Sequence, residues 1–122
     1  MSTIKVGTVQ NTGTGAPTFK NSSGTEIGQL IDGWAMVQSN NTISDSFNVS
    51  SVTDTATGRY RITWTNAQAN TNYAVVATIK FVSSGNTFFC SIIENSTTSC
   101  LLRVCNDDGQ DSDQPFCLIM KN

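Results

Sequence analysis

Between Arg59 and Trp64 the chain alternates strictly, with Tyr60, Ile62 and Trp64 apolar and Arg59, Arg61 and Thr63 polar. A period of two puts successive side chains on opposite faces of a strand, so this segment belongs half in and half out of a core. Nowhere does apolar i, i+3, i+4 spacing persist for three turns among good helix formers. The best exception, residues 25–31, amounts to one or two turns. The chain is therefore predicted to be almost all-β.

Further strand-like segments follow one another from Gly33 onward, at residues 34–38, 44–52, 73–82, 87–93, 100–105 and 116–120. The TDTATG run ends on Gly58, a residue suited to the left-handed conformation of a tight turn, so residues 44–52 and 58–65 are predicted to pair antiparallel. Residues 73–82 are apolar on both alternations, which predicts a central strand covered on both faces. The SSGN turn after them predicts a hairpin with 87–93. The NDDGQDSDQP stretch predicts another hairpin, between 100–105 and 116–120, with Pro115 at a strand entrance. Tyr60 and Trp64 are expected in the core, and Trp34 in the core or at a subunit interface. The expected fold is an antiparallel β-sandwich or jelly-roll-like domain over residues 31–122.

Residues 1–30 differ. They are rich in Gly, Ser, Thr and Asn, and their apolar side chains are sparse. Scattered glycines and Pro17 predict an extended arm with turns that cannot build a core alone and needs a partner surface. Ile4, Val6, Val9 and Phe19 are its candidate interface residues, expected to be buried against a neighbouring chain.

Only 13% of residues are charged, and seven Lys+Arg face nine Asp+Glu for a net charge of −2, so solubility rests on neutral polar groups. Nucleic-acid affinity comes chiefly from clustered Lys and Arg, and no such cluster exists here, so no nucleic-acid partner is expected. No apolar run approaches the ~20 residues that span a bilayer, and the opening MSTIKVGTVQ lacks a signal peptide's apolar core. Synthesis in a cytoplasm and no membrane insertion are expected.

The chain holds no histidine, which removes the commonest acid-base group near neutral pH and every His-dependent triad. Its glutamates are Glu26 and Glu94 alone, and most aspartates crowd one loop, a poor basis for a paired-carboxylate hydrolase. No phosphate-binding glycine motif is present. Cys90, Cys100, Cys105 and Cys117 form no C-x-x-C pair, which argues against zinc, and in a reducing compartment they are expected as buried free thiols. The acidic loop at residues 106–113 could offer oxygen ligands to Ca²⁺, but its spacing departs from the EF-hand and a solvated hairpin tip is the simpler expectation. No cofactor, metal site or catalytic residue is expected, and the chain is read as a non-enzyme.

The stretch SFNVSSVTDTATGRYRITWTNAQANTNYAVVATI, residues 46–79, resembles a module that recurs in tail fibres and other surface proteins of tailed bacteriophages. Ser46, Phe47, Asn48, Val49, Ser50, Ser51, Thr53, Asp54, Gly58, Tyr60, Asn72, Tyr73, Val75 and Val76 fit its pattern. The closing VCNDDG stretch and the opening IKVGTVQNTGTGAPTF look like the ends of such modules, so the resemblance covers most of the chain. It implies a β-sandwich-like domain, commonly a homotrimer, exposed on the virion surface at tail or capsid. The expected function is a small tail-fibre or host receptor-binding protein, with a capsid decoration or head-fibre protein as the alternative and a free carbohydrate-binding module behind both. Expected partners are other virion proteins and a host surface glycan or protein. A chain shortened to begin near Leu30 should keep its β signal in circular dichroism yet fail to trimerise by light scattering; unchanged assembly would rule out the arm's role.

Overall fold

The computed structural model describes residues 18–29, 31–80 and 86–122. The chain divides into two units, Met1–Ile31 and Asp32–Asn122. In the first, β1 (Thr18–Lys20) and β2 (Glu26–Gln29) pair antiparallel, with Phe19 opposite Gly28. Asn21 closes the turn between them by accepting from the Ser23 and Thr25 amides at 3.1 and 2.9 Å, and Gly24 takes a positive φ of 80°. The segment 25–31, which allowed one or two helical turns at most, is strand at β2, because a hairpin satisfies backbone groups that so short a helix would leave open.

The second unit is an antiparallel β-sandwich. Its strands are β3 (Gly33–Val37), β4 (Ile43–Phe47), β5 (Val49–Ala56), β6 (Arg59–Trp64), β7 (Ala74–Ile79), β8 (Phe88–Asn95), β9 (Ser99–Asn106) and β10 (Phe116–Lys121). One sheet runs β4-β3-β10-β7 and the other β5-β6-β9-β8. Their inner faces supply one core: Ala35, Val37, Phe116, Leu118 and Met120 from the first, Tyr60, Ile62, Trp64, Cys100, Leu102 and Val104 from the second. Each buried Ile, Leu or Val contributes about 1.5–3 kcal/mol of apolar transfer. The Tyr60 and Phe116 rings meet across the layers at 5.0 Å.

Strand β6 alternates as its sequence predicts, with Tyr60, Ile62 and Trp64 inward. The β5–β6 pairing also forms, around a turn with Gly58 at φ 66°. Three expectations fail, all for one reason. Residues 44–52 form two strands in different sheets, β4 against β3 and β5 against β6, because Asn48 between them adopts φ 58° and turns the chain across the sandwich. Strands β7 and β8 make no hairpin, since they are edges of opposite sheets. Strands β9 and β10 make none either: β9 lies between β6 and β8, and β10 between β3 and β7. A turn signal marks where the chain reverses, but not whether it changes layer.

The expected central position of residues 73–82 is likewise corrected. Strand β7 is an edge, and Val76 on its outer side is 70% exposed.

At the far end of the core, Trp64 Nε1 donates to Tyr73 Oη at 3.1 Å, and that hydroxyl sits 2.8 Å from the carbonyls of Ser96 and Ser99. The two aromatic polar atoms are therefore buried at little cost. Leu102 is fully buried on central strand β9. Leu102→Ala should lower the unfolding free energy by about 2–5 kcal/mol in urea titration, with the far-ultraviolet spectrum retained.

Candidate interaction surface

The two outer faces of the sandwich differ in chemistry. On the β4-β3-β10-β7 sheet, the register aligns Phe47, Trp34, Ile119 and Val76 in one row across all four strands. The next row is Asp45, Met36, Cys117 and Thr78. Phe47, Ile119 and Met36 are 55%, 48% and 39% exposed, which makes a continuous apolar stripe. At one end it is closed by Lys121, whose ammonium lies 2.9 Å from Asp32. At the other, Gln38 donates to the Ser44 hydroxyl. Outward positions of a solvated antiparallel sheet are ordinarily polar, so this face departs from the pattern that β6 obeys.

The outer face of β5-β6-β9-β8 carries Arg59, Arg61 and Arg103. The loop after β9 folds back onto it and is not a free hairpin tip, because it must carry the chain from one sheet to the other. Arg103 Nε donates to Asp111 Oδ1 at 2.6 Å and Arg59 Nε to Asp111 Oδ2 at 3.3 Å. Asp113 Oδ1 accepts from the Gly58 amide at 2.7 Å and from the Tyr60 hydroxyl at 3.0 Å. Cys105, on the outward side of β9, is buried, and its backbone forms an isolated antiparallel β-bridge with that of Asp111. Of the oxygens considered for Ca²⁺, those of Asp111 and Asp113 thus accept protein hydrogen bonds, as does Asn106 Oδ1 from the Gln110 amide. Among the described residues no group of three or more His, Cys, Asp or Glu side chains is placed to hold a metal.

The charges follow from these contacts. The Arg103 hydrogen bond, then Arg59, holds the Asp111 carboxyl below its ordinary value. Burial, with the Asp113 carboxylate at its hydroxyl, pushes the Tyr60 phenol upward. Burial likewise lifts the Cys100 thiol to about 12 and, with Cys105 nearby, the Cys90 thiol to about 11. Both remain protonated at neutral pH and are poor nucleophiles. None of the four cysteines is in a disulfide.

Of the interface residues predicted from sequence, Ile4, Val6 and Val9 lie outside the described residues. Phe19 is on β1 by its backbone, and its side chain is not among those described. Sequence reasoning missed the apolar stripe, although its signal was present in the two apolar alternations of 73–82 and in Ile119 and Met36 beside inward apolar neighbours. No family model matches the chain, and no match was found among curated proteins or solved structures.

The latch sets two expectations. A carboxylate whose folded pKa is depressed stabilises the fold above its unfolded value near ~4, and that contribution is lost as pH falls through the folded value. Asp111→Asn should therefore be less stable than the wild type at pH 7, the difference vanishing in strong acid, when unfolding is followed across pH. At Gly58 a Cβ would lie 2.4 Å from the Val104 carbonyl oxygen and 2.7 Å from the Ser112 nitrogen. Gly58→Ala should cost more than about 2 kcal/mol of unfolding free energy, combining left-handed strain with that clash.

Proposed function

We propose that this chain is a non-enzymatic structural protein of a tailed-bacteriophage virion, a small tail-fibre or host receptor-binding protein. The observation that carries this reading is the work done by the residues that resemble the phage module. Asn48 turns the chain between sheets, Gly58 forms the β5–β6 turn, Tyr60 joins the core to the latch, and Tyr73 ties three segments with its hydroxyl. The shared pattern is architectural, which suits a protein selected for shape and attachment.

In this role residues 1–30 anchor the domain: Ile4, Val6, Val9 and Phe19 are buried against neighbouring chains of a homotrimer or against other virion proteins, by apolar contact and strand addition. The loops of the sandwich meet a host surface glycan or protein. Many copies on one particle multiply weak contacts into firm attachment.

The experiment is to locate the protein on intact particles by electron microscopy with a chain-specific label. Label at the tail is the expected outcome. Label across the head would replace the tail role with capsid decoration, and label on neither would overturn the virion assignment.

A further inference from the structure

The apolar stripe on the β4-β3-β10-β7 face is flanked by opposite charges at opposite edges. Asp45 projects from edge strand β4, beside Met36. Lys80 follows edge strand β7, two residues beyond outward-facing Thr78, and is exposed. Neither has an ion-pair partner among the described residues. By contrast the other charges bordering this face, Asp32 and Lys121, are paired with each other.

We propose that two copies of this chain pair face to face through this sheet, related by a two-fold axis parallel to the strands. That axis lays β4 of one copy over β7 of the other. The apolar row then meets itself reversed, Phe47 over Val76 and Trp34 over Ile119, at the ~10 Å spacing of packed sheets. Asp45 of each copy falls one residue pair along the strand from Lys80 of the other, within reach of a lysine side chain. A two-fold axis perpendicular to the strands would instead lay β4 over β4 and β7 over β7, leaving Asp45 and Lys80 on opposite edges with neither facing the other, so the charges select the first arrangement.

The area sets the strength. Four strands ~4.8 Å apart and about six residues long make a face of roughly 400 Å² in plan, short of the ~800 Å² per partner of a standard stable interface. Pairing is therefore weak and concentration-dependent for isolated chains. It is independent of the arm: if residues 1–30 build trimers, this face joins them in twos. The pairing goes beyond the virion assignment and does not require it.

The test is sedimentation velocity of the full chain over a micromolar concentration series. Ile119→Lys changes an outward side chain and should weaken pairing at least tenfold, halving the mass reached at high concentration. Asp45→Lys should weaken it several-fold, and Asp45→Lys combined with Lys80→Asp should restore it. A short bismaleimide should join copies through Cys117 in the wild type, and not in Ile119→Lys or Cys117→Ser. Equal masses for the wild type and Ile119→Lys at every concentration would overturn the proposal, as would failure of the charge exchange to rescue. A wild type that never pairs, with a lower Tm in Ile119→Lys, would mean that a segment of the same chain covers the face.

Discussion

One residue decides that this chain becomes a sandwich and not a single meander: Asn48, the left-handed position between β4 and β5. Its φ of 58° breaks what reads in sequence as one strand and sends the second half to the other sheet. Asparagine suits the place twice over, since it tolerates this conformation and has a side chain that bonds locally. Its Nδ2 donates to the Asp32 carbonyl at 2.9 Å, its Oδ1 accepts from the Asn66 amide at 2.8 Å, and its own carbonyl accepts from the Thr65 amide at 3.1 Å. The entry to β3, the end of β6 and the crossover are thereby fixed at one point.

Once the chain crosses there, the rest of the topology is constrained. Strand β6 is held between β5 and β9, and β10 must close the other sheet between β3 and β7. The link from β9 to β10 therefore spans the layers, and its exposed backbone has to be secured. Asp111 and Asp113 secure it, one through two arginines and the other through Gly58 and Tyr60. The arginines Arg59, Arg61 and Arg103 all lie on that side. The opposite outer face is left with Phe47, Trp34, Ile119, Val76 and Met36, side chains that burial would stabilise and that the described chain leaves partly in water. Crossover, latch and unpartnered stripe are thus successive consequences of one turn.

Local signals were legible wherever a side chain's fate is set by its immediate neighbours. The alternation of β6 and the turn at Gly58 are cases of this kind: pleat geometry and a positive φ act within a few residues. Sheet membership was not legible, because the SSGN and NDDGQDSDQP turns look alike whether the chain returns along its own strand or passes to the other layer. The latch joins Arg59 to Asp111 across 52 positions, a distance over which a single sequence carries no pairing information. Strand β7 misled for a different reason: apolar residues on both alternations signify coverage on both faces, and the coverage of Val76 is not supplied by the described part of the chain. The proposed attachment residues of the arm rest on composition and on the phage resemblance alone.

The most direct test of the crossover is to measure unfolding free energies of the wild type, Asn48→Gly and Asn48→Ala in urea at neutral pH. Glycine keeps the left-handed backbone and loses the side-chain hydrogen bonds, each worth about 0.5–1.5 kcal/mol, whereas alanine loses both and adds about 1–2 kcal/mol of backbone strain. The expected order is wild type, then glycine, then alanine, with clear steps between them. Three equal stabilities, or alanine at least as stable as glycine, would show that the sandwich does not depend on this turn.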